Sequence, residues 1–210
     1  MSALQYQGLT NYRQKVFEMY ARAREPAGSP ELRWDRFRAD RDKLFQTHPQ
    51  TPLTPEQAAQ FTSLRYYPYD PSYRFEVPIE PVKNKKMITI HLDDDGPISL
   101  LPFGKVSFQI DLQQLSLTLF WIKTYGGGIF LPFKDQTNFD ETYAGGRYLI
   151  DTIKGADLGW QDDKLVIDFN FAYNPSCAYN TRWQCPLSPS ENELSLPIHA
   201  GELRFQFSGE

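Results

Sequence analysis

The 210-residue chain contains few metal-binding or cross-linking side chains, with only two cysteines and three histidines. Cys177 and Cys185 are too few to staple a domain whose 40% hydrophobic residues already provide a core. Their spacing also differs from the closely spaced pairs of structural zinc sites. We therefore predict reduced thiols and no metal site, and the sequence identifies no cofactor.

The chain also lacks long apolar runs and an excess of positive charge. Its longest nearly apolar run, residues 112–122, is interrupted by polar side chains and is far shorter than the ~20 residues that cross a bilayer. The first fifteen residues contain no apolar stretch of the kind found in secretory signals. A net charge of -4 does not favour binding to nucleic-acid phosphates. These features predict a cytoplasmic protein without a membrane or nucleic-acid partner.

The N-terminal part, residues 1–64, shows the apolar spacing of helices. Three N-cap signals predict three helix starts, because serine, threonine and asparagine side chains accept hydrogen bonds from the first free N–H groups. Proline is also favoured at the first helical position, where its missing N–H is harmless. The predicted caps are Asn11, Ser29 followed by Pro30, and Thr54 followed by Pro55 with Gln57 completing a capping box.

From residue 65 to residue 210, short β-rich runs alternate with Pro, Gly, Asn and Asp, which is typical of antiparallel sheets. The predicted strands cover residues 73–77, 87–92, 104–111, 114–122, 129–133, 146–151, 164–172 and 202–207, with a hairpin turn at residues 93–96. The predicted fold is therefore α+β. It is mainly an antiparallel β-barrel or sandwich of about eight strands, with two to three N-terminal helices packed outside it in one structural domain.

One long segment, residues 173–201, has neither a strand nor a helix pattern. It contains four prolines, both cysteines and three aromatic residues, Tyr173, Tyr179 and Trp183. Segments longer than ~12–15 residues without regular structure are uncommon in compact domains and are often functional. We therefore expect a site near this segment.

The C-terminal part also carries a distinctive succession of motifs. Residues 168–179 read Asp-Phe-Asn-Phe-Ala-Tyr-Asn-Pro-Ser-Cys-Ala-Tyr. Further motifs lie at residues 48–53, 61–68, 130–137, 141–149, 185–187, 191–192 and 197–202. This succession closely resembles the prokaryotic domain of unknown function 1684 family from about residue 34 to residue 202. The resemblance implies kinship but no activity, ligand or catalytic residue.

The leading functional hypothesis is a pocket that binds a small polar or anionic ligand. Arg147 would bind the negative group, since a guanidinium offers a planar fork to a carboxylate or phosphate. Side chains on the predicted strands would orient the ligand, and aromatic residues of the long segment would cover it. The predicted ligand-binding residues are Arg147, Tyr148, Asp168, Asn170, Tyr173, Tyr179 and Trp183. Alternatively, Arg147 forms a structural salt bridge with Asp168 or Glu141.

Two other classes of function stay open. The first is a hydrolase-like enzyme that uses carboxylates, or Cys177 with His199 as its base, in the same cleft. The two cysteines are also interpreted as buried packing residues or as a pair close enough to join on oxidation. The second class is a structural or interaction protein that forms a homodimer through its N-terminal helices and has no pocket.

Overall fold

The computed structural model describes residues 2–83, 85–92 and 96–207, which form an α+β fold. Three helices come first in the chain: α1 (Ala3–Arg24), α2 (Pro30–Thr47) and α3 (Pro55–Gln60). Nine strands follow within the described residues: β1 (Arg74–Val77), β2 (Glu80–Pro81), β3 (Ile88–Leu92), β4 (Gly96–Ile110), β5 (Gln113–Ile122), β6 (Gly128–Phe133), β7 (Arg147–Asp151), β8 (Trp160–Gln161) and β9 (Lys164–Asp168).

The strands form two antiparallel sheets in a sandwich-like arrangement. The smaller sheet has the order β1-β9-β8, and the larger has the order β2-β4-β5-β6-β7, with β3 also paired to β4. Apolar side chains from both sheets, including Val77, Leu117, Phe133 and Ile167, form the main core. The barrel alternative is wrong, because no edge strand of one sheet hydrogen-bonds to the other sheet within the described residues. The two-residue edge strands β2 and β8 are too short to extend either ladder.

Helix α1 begins earlier than predicted. Ser2 Oγ accepts a hydrogen bond from the Gln5 N–H at 3.3 Å, and Gln5 Oε1 accepts one from the Ser2 N–H at 2.6 Å. This capping box starts the helix before Asn11, which instead contacts His48 Nε2 through its Oδ1 at 3.1 Å. The prediction of Asn11 as N-cap is therefore wrong, because residues 3–10 contain no proline that would interrupt a helix.

Helices α2 and α3 begin where the sequence predicts. Ser29 Oγ accepts a hydrogen bond from the Leu32 N–H at 3.2 Å. Thr54 Oγ1 accepts one from the Gln57 N–H at 3.2 Å, and the Thr54 N–H donates back to Gln57 Oε1 at 2.8 Å. Both helices have proline in their first turn. These local interactions explain why the two starts can be predicted without tertiary information.

Three predicted strands differ from the structure. Strand β4 begins at Gly96, eight residues before the predicted start at residue 104. Strand β9 ends at Asp168, whose Oδ1 accepts the Asn170 N–H at 3.0 Å and so starts a 3-10 turn over Phe169–Phe171. Residues 202–207 form no strand, and Glu202 makes only an isolated bridge with Tyr66. Residues 173–201 contain two short 3-10 turns and no longer element, as expected. Residues 93–95 of the predicted hairpin turn lie outside the described residues.

The helices pack on the sandwich through a second apolar cluster. Tyr20 of α1 and Phe37 of α2 meet Phe130, Tyr148 and Phe171 in this cluster. Because the inner faces of the helices pack against the sandwich, a homodimer would have to form through their outer faces. The homodimer stays a prediction. None of the described helices combines the length and apolar character needed to cross a membrane.

Candidate functional site

Arg147, at the start of β7, is completely buried and is bound by the protein itself. Its Nη2 donates to Asp135 Oδ2 at 2.8 Å and to the Ile198 carbonyl at 3.1 Å, and its Nη1 donates to the Ala200 carbonyl at 2.5 Å. Its guanidinium also lies over the Phe133 ring, 5.0 Å from the centroid. These contacts leave little hydrogen-bonding capacity for a ligand.

The carboxylate that faces Arg147 is equally well satisfied. Asp135 Oδ1 accepts hydrogen bonds from the Thr137 N–H at 2.8 Å, from Thr137 Oγ1 at 2.6 Å and from the Ile198 N–H at 3.2 Å. A buried ion pair is tolerated when further hydrogen bonds satisfy both charges, as they do here. Arg147 therefore forms the structural salt bridge of the alternative interpretation, but with Asp135 instead of Asp168 or Glu141.

The structure does not bring Asn170 and Asp168 to Arg147. Asn170 lies in the 3-10 turn after β9, so the predicted alternation of strand faces does not apply to it. Its Nδ2 donates to the Asp70 carbonyl and to Asp168 Oδ1, both at 2.8 Å, while its Oδ1 accepts the Asp70 N–H at 2.9 Å. Asn170 thus connects β9 to the segment before β1.

Asp168 lines a separate cavity of about 170 Å³ together with Arg33 and Arg74. Burial raises the pKa of Asp168 to about 6, against the opposing effects of hydrogen bonds from Asn170 and of the Arg74 charge. A carboxyl group with a raised pKa beside a cavity is typical of acid–base groups, although buried structural groups show the same shift.

A second buried arginine, Arg41 on α2, is absent from the predicted site residues. Its Nη2 donates to Glu202 Oε2 at 2.9 Å and to Tyr179 Oη at 3.0 Å. The Tyr179 hydroxyl donates in turn to Glu202 Oε1, and Glu202 Oε2 also accepts the Asn174 N–H at 3.0 Å. Although burial opposes a charge on Arg41, the Glu202 carboxylate raises its pKa, so Arg41 stays positively charged.

The sequence does contain a signal for Arg41. Trp34, Phe37, Leu44 and Phe45 define the apolar face of α2, and Arg41 lies four residues after Phe37 on that same face. A charged residue within an apolar stripe requires a buried partner. The partner, Glu202, is 161 residues away in the chain, so the sequence offers no way to identify it.

Arg41 borders a cavity of about 50 Å³ between the helices, β7 and the long segment. Its lining combines apolar and polar side chains: Tyr12, Val16, Tyr20, Arg41, Phe45, Pro52, Tyr148, Lys154, Ala156, Tyr173, Asn174, Pro175, Ser176 and Tyr179. Three predicted ligand-binding residues, Tyr148, Tyr173 and Tyr179, thus lie together. Trp183 is not part of the lining, and its Nε1 donates to the Pro52 carbonyl at 3.3 Å.

Four buried polar atoms of the lining have no hydrogen-bond partner within the described part of the chain. They are Tyr20 Oη, Tyr173 Oη, Arg41 Nε and Asn174 Oδ1. The Asn174 amide orientation is set by its Nδ2, which donates to the Leu203 carbonyl at 2.9 Å. Leaving such an atom buried and unpaired costs about 1–3 kcal/mol, and all four atoms belong to residues that line one cavity.

The tyrosines of the cavity are neutral hydroxyl groups. Burial raises the pKa values of Tyr20, Tyr148, Tyr173 and Tyr179 above the ordinary value. Tyr148 already donates to the Pro186 carbonyl at 2.6 Å, whereas Tyr20 and Tyr173 retain unused hydroxyls. Among the described residues, no group of three or more His, Cys, Asp and Glu side chains is arranged to hold a metal ion.

These observations define an α+β sandwich protein with a small cavity, lined by apolar and polar side chains, between its helices and its larger sheet. The family model described as "Protein of unknown function (DUF1684)" matches residues 59–203, and the chain belongs to this family. Most of the cavity lining, including Tyr148, Tyr173 and Tyr179, lies within the matched region. Arg41 and Tyr20 lie before it.

The chain is also similar to a solved structure of an uncharacterized protein from gene locus rrnAC0354 of Haloarcula marismortui, determined by solution NMR. The two are 31% identical, the match covers 82% of this chain and 93% of that chain, and the TM-score is 0.57. A comparison with curated proteins finds no match.

Proposed function

We propose that this protein binds a small hydroxycarboxylate in the Arg41 cavity. The observation that carries the proposal is the set of four unpartnered polar atoms, Tyr20 Oη, Tyr173 Oη, Arg41 Nε and Asn174 Oδ1, around one cavity. A ligand that pairs with these atoms offsets the cost of burying them. The proposal retains the predicted small anionic ligand but assigns its charged partner to Arg41 instead of Arg147.

The size of the cavity limits the ligand. A buried water needs roughly 10–15 Å³ of such volume, so about 50 Å³ accommodates a molecule of about three to five non-hydrogen atoms. Larger metabolites would require the helices to separate from the sandwich. Lys154, whose side chain is 47% exposed, marks the side from which a ligand enters.

The chemistry of the lining indicates the ligand class. Arg41 Nε is a donor and the hydroxyls of Tyr20 and Tyr173 are available as donors, so together they match a carboxylate. Asn174 Oδ1 accepts only, and it therefore matches a ligand hydroxyl. The charge of Arg41 is neutralised by Glu202, and that of Lys154 by Asp151 at 3.1 Å. A ligand carboxylate would therefore enter a cavity that offers several hydrogen-bond donors but no large net charge.

Glycolate, acetate and glycolamide are suitable probes in an NMR titration. Binding energy reaches at most about 1.5 kcal/mol per non-hydrogen atom, so affinities no tighter than roughly a few micromolar are expected for five-atom glycolate. We expect glycolate to bind more tightly than acetate, which lacks the hydroxyl for Asn174, and than neutral glycolamide. Equal binding of all three, or ordered water alone in a glycolate-soaked crystal, contradicts the proposal.

Matched tyrosine variants localise the binding. Tyr173→Phe removes an unpartnered hydroxyl of the cavity and should weaken glycolate binding roughly tenfold to a hundredfold, since hydrogen bonds to charged groups contribute about 1.5–3 kcal/mol. Tyr69→Phe is the control, because Tyr69 Oη is also buried and unpartnered but Tyr69 is not part of the cavity lining. Equal effects of the two variants would place the ligand elsewhere.

The enzyme hypothesis is favoured by a different observation, the raised pKa of Asp168 beside the 170 Å³ cavity. A carboxyl group that titrates near pH 6 suits general acid–base chemistry at neutral pH. If Asp168 has this role, hydrolysis of a simple chromogenic ester should follow its titration and disappear in Asp168→Asn. Retained hydrolysis in that variant eliminates this role for Asp168.

A further inference from the structure

Cys177 and Cys185 lie side by side within the long segment. The Cys177 N–H donates to Cys185 Sγ at 3.4 Å, and the two thiols hydrogen-bond to each other. Both are free and half-buried, so small reagents have access to them. Because the Cys177 backbone N–H already contacts Cys185 Sγ, forming a bond between the two sulfur atoms requires little movement of the backbone.

The surroundings of the two thiols differ. A hydrogen bond from the Cys185 thiol and one from the Tyr143 hydroxyl, 3.5 Å from Cys177 Sγ, lower the pKa of Cys177, while burial opposes them. The nearby Lys154 charge acts in the same direction as the hydrogen bonds. The pKa of Cys185 is raised by its hydrogen bond to Cys177 and by burial. The hydrogen bond from the Tyr143 hydroxyl to Cys177 Sγ therefore favours Cys177 as the nucleophile of the pair, with Cys185 as the thiol that retains its proton.

We propose that Cys177 and Cys185 form a redox-active dithiol that reduces small hydroperoxides. The Cys177 thiolate attacks the terminal peroxide oxygen and the O–O bond breaks, leaving a sulfenic acid on Cys177; the departing alkoxide or hydroxide takes a proton from solvent and leaves as an alcohol or water. Cys185 Sγ then attacks the Cys177 sulfur, and the departing hydroxide leaves as water with the Cys185 proton. The two thiols lose two electrons to the peroxide, and an external dithiol restores them by thiol–disulfide exchange.

Hydrogen peroxide is the probe for the first test, with the full chain and intact-mass analysis. We expect the mass to decrease by that of two hydrogen atoms and a digest to contain a disulfide-linked peptide that joins residues 177 and 185. Dithiothreitol should reverse the change completely. The reaction at pH 7 should be roughly tenfold or more faster than that of free cysteine, of which only a few per cent is thiolate. A rate equal to that of free cysteine, or thiols that stay reduced, overturns the proposal.

Single cysteine variants separate the two roles. Cys185→Ser should stop at the sulfenic acid, so that dimedone labels residue 177 after peroxide treatment. Cys177→Ser should give neither the label nor a fast reaction. Thermal unfolding of both variants checks that each is folded. Equal labelling of the remaining cysteine in both variants contradicts the assigned order.

Tyr143 is a positioning residue in this scheme, since it reaches the peroxide only through Cys177. Tyr143→Phe should move the pH midpoint of Cys177 alkylation upward, whereas Tyr67→Phe should leave it unchanged because the Tyr67 hydroxyl donates to Glu141. An unchanged midpoint in Tyr143→Phe refutes the role of this hydrogen bond. Neither cysteine lines the Arg41 cavity, so the dithiol and the hydroxycarboxylate site can fail independently.

Discussion

The two buried arginines of this protein are both paired with a carboxylate, but they differ in what else surrounds them. Arg147 lies among a carboxylate, backbone carbonyls and an aromatic ring, and only its Nε lacks a partner within the described residues. Arg41 is paired with Glu202 but borders a cavity where three other polar atoms also lack partners. Burial of a charge therefore does not by itself indicate a binding site. Unused hydrogen-bonding capacity on several residues that line one cavity is the more informative feature.

Glu202 belongs to both environments. Its carboxylate binds Arg41, while its backbone carbonyl accepts a weaker hydrogen bond from Arg147 Nη1 at 3.4 Å. The preceding Gly201 has a positive φ of 82°, and a Cβ there would lie 2.6 Å from the Phe169 carbonyl oxygen. Glycine is thus required where the chain passes between the two arginines.

The largest predicted effect concerns the buried ion pair of Arg147 with Asp135. Arg147→Met should lower the free energy of unfolding by about 3–5 kcal/mol, because it leaves the Asp135 carboxylate buried without its cation. Urea denaturation followed by circular dichroism measures this loss. The double variant Asp135→Asn with Arg147→Met should recover part of the stability. A loss below about 1 kcal/mol in the single variant would mean that Arg147 is not the structural residue described here.

Asp168 is a buried carboxyl group that, unlike Asp135 and Glu202, has no ion-pair partner within 4 Å among the described residues. The folded-state pKa of Asp168, about 6, lies above the ordinary value of 3.8, so the folded protein binds the proton more tightly than the unfolded chain. Stability should therefore fall as the pH rises from about 4 to above 6. Since one pKa unit corresponds to about 1.4 kcal/mol, the free energy of unfolding should fall by about 3 kcal/mol over this range.

Asp168→Asn supplies the control for this pH dependence. An asparagine oxygen still accepts the hydrogen bonds from Asn170, but the side chain does not ionise. The variant should match the wild type near pH 4 and exceed its stability near pH 7.5, as measured by urea unfolding at both pH values. A constant difference across this pH range would show that Asp168 does not titrate near 6.

The smallest predicted effects compare two tyrosines of the same cavity. Tyr179→Phe removes a hydroxyl that bridges Arg41 and Glu202, and it should cost about 1–3 kcal/mol. Tyr173→Phe removes an unpartnered hydroxyl and should be neutral or slightly stabilising without ligand. Thermal unfolding distinguishes them. Equal destabilisation by both would mean that Tyr173 has a partner in solution, and the cavity would lose one of its four free polar atoms.

Predictions from sequence were most accurate where the interactions are local. The N-cap side chains and the first-turn prolines of α2 and α3 act within four residues, and most strands were located to within a residue or two. The barrel alternative and the predicted strand at 202–207 failed because strand pairing depends on distant partners. The predicted encounter of Arg147 with Asn170 failed for a local reason, since the Asp168 side chain ends β9 four residues before the predicted end at residue 172.

By itself, the sequence determined the α+β class, the kinship and the positions of two helix starts, because each follows from short-range chemistry or from a characteristic order of motifs. It also indicated that the segment 173–201 is unusual, and this segment contributes Tyr173, Asn174 and Tyr179 to the cavity. Only the tertiary structure decided that Arg41, and not Arg147, borders the cavity. The physical reason is that an arginine's role depends on which distant acceptors surround it, and the partners of both arginines lie on other elements of the fold.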